Sequence, residues 1–247
     1  MSVDLIILAS GASRRFGVED KLLANLDGKP VLAHTLQAVA LSRVQTIVGV
    51  VRPEAAAVCA IFDVFEIGQR RLRIVVNDDA ELGMSAAIRA GVSDVMARGA
   101  AVVTGVARRG EDGQLDSDAP RGLAILPADM PLIGVDLINE LIDVFDAHGG
   151  KRVVMPVTRT KSEAGGAAGS EVGEAQRNPV IWPQAMWEGL LQLSGDKGGK
   201  ALLAAMDDAQ VVRVPVADGT HFFDVDTSDA VSEAADLLRK RKIGDVA

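Results

Sequence analysis

The sequence predicts an α/β protein, with a mostly parallel central sheet and helices packed on both of its faces. Three observations carry that prediction. Short apolar runs such as Val3 to Leu8, interrupted only by Asp4, have the look of strands buried on both sides. Such runs alternate with stretches whose apolar residues recur at helical spacing, and this order calls for parallel strands joined by crossover helices. Hydrophobic residues make up 48% of the chain but aromatics only 3%, with no Tyr, so the core must be built from Ala, Val, Leu and Ile.

Taken in order, Val3 to Leu8 is the first strand, and a polar loop follows it. Pro30 is suited to a helix start, and Leu32, Leu36 and Val39 keep helical spacing to about Leu41. Strands follow at Thr46 to Val51 and Leu72 to Val76, with a short helix from Pro53 between them. Met84, Ile88, Val92 and Val95 then line one side of a helix. Between Gly99 and Gly122 the pattern dissolves into a polar stretch, and the sheet resumes at Leu123 to Leu126. A helix over Leu137 to Phe145 and a strand over Val153 to Val157 come next. Thr158 to Gln176, rich in Gly and Ala, has the composition of a flexible loop. Helices are expected over Ala185 to Leu193 and Ala201 to Met206. Late strands are expected over Val211 to Val214 and Phe222 to Val225, before a closing amphipathic helix from Ser228 to Arg239. With 247 residues and no evident linker, the expectation is one domain over 1–247, carrying polar insertions at about 104–121 and 158–177.

Composition narrows the function classes. A net charge of −8 supplies no general basic field for nucleic acid, so the cations matter where they cluster, and a small anionic partner is expected. The lone Cys59 excludes an intrachain disulfide and a cysteine metal cluster. His34, His148 and His221 share no ligand spacing. The chain opens on strand residues without a charged leader, and no apolar run reaches membrane-spanning length, so a cytoplasmic protein without a membrane partner is expected.

The loop after the first strand is the most informative stretch. Gly11 and Gly17 permit unusual backbone, Ser10 and Ser13 are small hydroxyl donors, and Arg14, Arg15 and Lys21 are cations. Glycine lets successive amides approach one phosphate oxygen, while Arg15 and Lys21 neutralise a polyphosphate. The spacing is neither GxxxxGK[ST] nor GxGxxG. A nucleoside triphosphate site is the reading that remains, and the missing GxGxxG argues against a nicotinamide-dependent reductase.

Parallel α/β sheets gather their sites beyond the carboxyl ends of strands. That rule selects the first loop, Asp78 to Ser85, Asp129, and Asp224 to Thr227. Asp129 ends a buried strand between Pro127 and Pro131 and is well placed for a metal. Magnesium needs few carboxylates because water and phosphate oxygens complete its octahedron. Asp224 and Asp226 alternate about Val225, so an extended segment would present both on one face, with Asp224 the favoured second ligand. A capping role before the last helix is the competing reading for Asp226.

These motifs together resemble the molybdenum cofactor nucleotidyltransferases, within the wider nucleotide-sugar and cytidylyltransferase group. The resemblance rests on LxxGxSxRxG from Leu8, GMSAAIRAGV from Gly83, LPADMP around Asp129, RNPVIWP, GDKGGK and FDVDTSD. It implies a Rossmann-like nucleotide-diphospho-sugar transferase fold. The implied reaction is transfer of CMP from Mg²⁺-bound CTP to molybdopterin with release of pyrophosphate, and the implied protein partner is a molybdoenzyme or its maturation chaperone. It further implies nucleotide contacts at Leu8, Ala9, Ser10, Gly11, Ser13, Gly83 and Ser85. Arg15, Lys21 and Asp129 become the catalytic set, Asp129 and Asp224 the Mg²⁺ ligands, and Asn178, Asp196 and Lys200 the acceptor contacts. Three positions depart from the family pattern: Ser10, Ala87 and Arg177. Use of GTP, or of a sugar or alditol phosphate acceptor, is the nearest alternative. A non-catalytic carrier of finished cofactor is a more distant one.

Overall fold

A computed structural model of the chain describes residues 2–13, 16–17, 20–66, 72–103, 121–161 and 172–244. Beside a separate two-stranded ribbon of β2 (Asn25–Leu26) and β3 (Lys29–Pro30), one sheet of eight strands runs through them. Its central path, from edge to edge, is β5 (Leu72–Val76), β4 (Ile47–Val51), β1 (Val3–Ala9), β6 (Gly122–Pro127), β9 (Val180–Pro183), β7 (Val153–Lys161) and β10 (Val211–Pro215). The pairs β1/β4, β4/β5, β1/β6 and β7/β10 are parallel, while β9 runs antiparallel to both β6 and β7.

The alternation along β1 sorts the core into two layers. Val3, Leu5, Ile7 and Ala9 face α1 (Val31–Leu41), α2 (Ala56–Glu66) and α4 (Val135–Ala147). Ile6 and Leu8 face α3 (Met84–Val103) and the short α5 (Trp187–Leu191), where Trp182 and Trp187 supply the bulk that the aliphatic strands lack. Helices on both faces account for strands that read as unbroken apolar runs. Among the described residues, no helix is long and apolar enough to cross a membrane.

The order in which strands are laid down positions the site. From β1 the chain moves outward through β4 to β5, then returns to the other side of β1 as β6. The loops leaving β1 and β6 therefore diverge above the sheet and leave a crevice between them, at the topological switch point.

Several sequence expectations need correction. Thr158 to Gln176 is not wholly loop: β7 extends to Lys161, and β8 (Val172–Gln176) folds back on it as an antiparallel partner from Val157↔Gln176 to Lys161↔Val172. The expected helix from Ala185 is preceded by strand β9 and a 3-10 turn, so only Trp187–Leu191 is α-helical. Phe222 to Val225 is not a strand. It leaves a 3-10 turn at Gly219–Phe222, and the Val225 N–H donates instead to the Asp129 carbonyl at 3.0 Å. The insertion expected at about 104–121 lies, apart from Arg121, outside the described residues.

Candidate active site

The loop after β1 is held open by its neighbours rather than by its own contacts. Arg52, just past β4, donates to the Gly11 carbonyl at 2.9 Å and to Asp20 Oδ2 at 2.7 Å. Asp20 accepts in turn from the Ser13 hydroxyl at 3.1 Å and from the Leu22 amide at 3.1 Å. Ser13 has a positive φ of 48°, and a Cβ on Gly11 would meet nothing within 4 Å. The backbone at the tip thus faces open space, while its base is braced by a guanidinium and a carboxylate. Asn77, past β5, donates to the Ser10 hydroxyl at 3.3 Å, both residues being buried.

Two lobes open above the sheet and share a waist. The first, of about 480 Å³, is lined by Ser10, Gly11 and Ser13 on the loop and by Gly83, Met84 and Ala87 at the start of α3. The second, of about 610 Å³, is lined by Asn178, Lys200 and Asp224, over a buried apolar floor of Trp182, Val180 and Leu203 and beside the exposed Met84. Leu8, Lys21, Met84, Pro127, Asp129 and Asp196 line both.

At the waist, Lys21 Nζ makes a short contact to Asp129 Oδ2 and reaches Asp226 Oδ1 at 2.7 Å. Burial by itself would lower the Lys21 pKa, but the Asp129 and Asp226 carboxylates outweigh it and hold the ammonium above its ordinary value. Asp224, exposed beside them, is pushed up to about 6 by desolvation and by repulsion from Asp129 and Asp226, against the attraction of Lys21 and Arg177. Three carboxylates crowd one lysine here, so the site is short of positive charge.

This shortage fits a hard divalent cation. Asp129 Oδ1 is buried and has no hydrogen-bond partner among the described residues, and carboxylate oxygens are the donors that Mg²⁺ or Mn²⁺ takes. No cage of three or more His, Cys, Asp or Glu groups is present among those residues. A metal at Asp129 and its neighbours would have to complete its shell from water and substrate phosphate.

The loop Gly195 to Gly199 closes the first lobe over the start of α3. Gly83 has φ +87°, and a Cβ there would collide with Asp196 Oδ1. A Cβ at Gly198 would stand 2.7 Å from Met84 Sδ, and one at Gly199 2.7 Å from the Trp182 ring. Glycine at these three places is what lets the two loops touch.

Not every residue singled out from the sequence reaches the crevice. Ala9 is buried in the sheet, and Ser85 is fully buried with its hydroxyl unpartnered among the described residues; neither lines a lobe. Arg14 and Arg15 lie outside the described residues. Sequence reasoning passed over Asp20, Arg52 and Asn77. The rule that selected Asp129 covers the last two, since both stand immediately past strand ends.

Comparison with known proteins bears on what this crevice is. Residues 5–211 match the MobA-like NTP transferase domain. The chain belongs to that family. A stretch of 34 residues is 62% identical to 2-C-methyl-D-erythritol 4-phosphate cytidylyltransferase of Dehalococcoides mccartyi, covering 14% of this chain and 15% of that protein. Rv0371c of Mycobacterium tuberculosis H37Rv, solved in complex with manganese, superposes with a TM-score of 0.65 at 19% identity over 96% of this chain and 99% of its own. A nucleotidyl transferase from Methanothermobacter gives 0.67 at 16%, over 97% and 99%. CMP:2-keto-3-deoxy-manno-octonic acid synthetase complexed with CTP gives 0.68 at 12%, over 98% and 100%. At these identities the structural likeness establishes the Rossmann-like nucleotidyltransferase fold, and the family match establishes a nucleotidyltransferase family.

Proposed function

We propose that this chain, acting as a single NTP-transferase domain, transfers CMP from Mg²⁺-bound CTP to the terminal phosphate of molybdopterin and releases pyrophosphate. The observation that carries the reading is the convergence of Lys21, Asp129 and Asp226 at the waist between an amide-lined lobe and a larger, partly apolar one. The nucleotide takes the first lobe, with Gly11, Ser13 and the loop amides at its phosphates and Gly83 near its base. The acceptor takes the second, against Asn178, Lys200 and the exposed Met84 side chain.

In this reading an oxygen of the acceptor phosphate forms the new bond to the α-phosphorus. The bond from that phosphorus to the bridging oxygen breaks, and pyrophosphate departs with the electron pair. The nucleophile is already an anion, so no general base is required. Catalysis reduces to alignment and to fixed charge where charge accumulates. Lys21 turns from the carboxylates to the α-phosphate, and Asp129 with Asp226, or with Asp224, would hold the metal. When bound, Mg²⁺ would supply charge neutralisation on the phosphate oxygens. Asp224 remains the second ligand of this reading, with Asp226, which Lys21 holds beside Asp129, as the alternative.

The test is pyrophosphate release from CTP, GTP, UTP and ATP, each with Mg²⁺ and molybdopterin. Release with CTP that depends on molybdopterin is expected. Release with GTP alone would change the nucleotide, and release with none of the four would overturn the reading.

A further inference from the structure

Arg177 lines the second lobe, just before Asn178, and is held in place by three contacts. Its amide donates to the Pro156 carbonyl at 3.0 Å, and its Nε donates to Thr158 Oγ1 at 3.0 Å. Its Cζ stands 5.9 Å from the centroid of the Phe222 ring, within cation–π range. These contacts fix the plane of the guanidinium. They use Nε and the ring-facing side; no hydrogen bond or salt bridge joins the two terminal nitrogens to a described residue, and the nearest unbalanced charge they attract is the Asp224 carboxylate of the same lobe.

The other cations of the lobe are differently placed. Lys21 is committed to Asp129 and Asp226, and Lys200 is an exposed ammonium with no ion pair among the described residues. An immobilised guanidinium whose terminal groups make no hydrogen bond has the geometry that grips two oxygens of one phosphate, and its ordering cost is already met by the fold. The first lobe does not include Arg177, so the nucleotide's own phosphates are not its natural partner.

We infer that Arg177 is a binding and positioning residue for the acceptor, gripping the phosphate monoester of a substrate whose apolar or aromatic body lies against the exposed Met84 side chain in the same lobe. This rests on the transferase reading for the word acceptor, but the anion site itself can be measured separately. Its consequence for the reaction is orientation. Two oxygens held by the guanidinium leave the third to face the waist, where the α-phosphorus of the nucleotide would lie.

Phenyl phosphate serves as the probe, titrated calorimetrically into wild type, Arg177→Gln and Arg177→Lys, with phenol as the uncharged control and CTP with Mg²⁺ titrated in parallel. Phenyl phosphate should bind wild type, lose about tenfold or more in Arg177→Gln, and recover partly in Arg177→Lys, which keeps the charge without the fork. CTP affinity should change far less than phenyl phosphate affinity, and the melting temperature should fall by a few degrees at most, the cost of the Thr158 and Phe222 contacts. In turnover, the KM for the phosphorylated acceptor should rise while that for CTP stays put. Wild-type affinity for phenyl phosphate in Arg177→Gln would overturn the inference. So would an equal loss for CTP, which would place the guanidinium on the nucleotide tail. If no nucleotide is turned over but phenyl phosphate binding still depends on Arg177, the transferase reading fails and the phosphate site stands.

Discussion

At the amino end of β1, Asp4 is 1% exposed and meets Arg98 at 2.6 Å; at its carboxyl end, Lys21 meets Asp129 and Asp226 beside open cavities. Both clusters are built from carboxylates and one cation on neighbouring elements, and both carry displaced pKa values. Burial pushes the Asp4 carboxyl up, with Arg98 pulling against it, and the same guanidinium reaches Thr46 at 3.4 Å and Asp94 at 3.4 Å. In the lower cluster Asp94 is also paired with Arg73 at 3.0 Å, so the charges there balance. A buried carboxylate oxygen lacks a hydrogen-bond partner among the described residues in both clusters, Asp4 Oδ1 below and Asp129 Oδ1 above, but only the upper cluster has more carboxylate than cation and opens onto cavities a ligand can enter. A perturbed group marks a site when its charge is left for a ligand to balance, not merely because it is buried.

The largest expected effects separate the two ends by what they damage. Asp129→Asn should reduce pyrophosphate release by about a thousandfold through loss of a metal ligand. Its stability should change by no more than about 1 kcal/mol, since Lys21 keeps Asp226. Arg98→Met should do the reverse. Leaving Asp4 buried without its partner should cost about 3 kcal/mol in denaturant unfolding, while activity per folded molecule stays near wild type. The deficit of Arg98→Met should shrink as pH falls, because Asp4 can then be buried as a neutral acid. Equal damage to stability and activity from either variant would remove the distinction between the two ends.

Openness at the upper end depends on Gly83, and filling that space sharpens the same contrast. Its φ of +87° is a conformation that side chains rarely adopt, and the added Cβ would drive into the Asp196 carboxylate. Gly83→Ala should therefore cost about 1–3 kcal/mol and displace the Gly195 to Gly199 loop from the first lobe. CTP affinity should fall by about tenfold, measured by calorimetry. In the double variant with Asp196→Ala the collision disappears but the backbone strain remains, so only part of the stability should return.

Much of this architecture was legible in the chain. Continuous apolar runs located β1, β4, β5, β6 and β10, and helical spacing located α1, α3 and α4, because those patterns arise directly from burial on one or both faces. The strand-end rule drew attention to both Lys21 and Asp129, whose contact spans 108 positions of sequence. What escaped was structure specified by partners. Strand β9 is four residues, Val-Ile-Trp-Pro, bounded by prolines, and it becomes a strand only because β6 and β7 flank it. Phe-Asp-Val-Asp has strand-like alternation, yet the Val225 amide is claimed by Asp129, which brings Asp226 to Lys21. Asp20 and Arg52 brace the first loop through contacts separated by 32 positions, with no local signal in either residue.

The smallest expected effect concerns Asp224, whose pKa near 6 measures the surplus of negative charge at the upper end. In the unfolded chain this carboxyl ionises near the ordinary aspartate value of 3.8. Between about pH 4 and 6 the folded protein therefore retains a proton that the unfolded chain has already lost. The folded state binds more protons in this window, so stability attributable to Asp224 falls as pH rises through it. Asp224→Asn removes that slope. Its melting temperature relative to wild type should be higher at pH 7 than at pH 4, by a few degrees at most because the residue is exposed. Adding Mn²⁺ should reduce the difference at pH 7, since a cation among Asp129, Asp224 and Asp226 relieves the same repulsion. A difference unaffected by pH would mean that Asp224 feels neither neighbour, and that the upper cluster is as balanced as the lower.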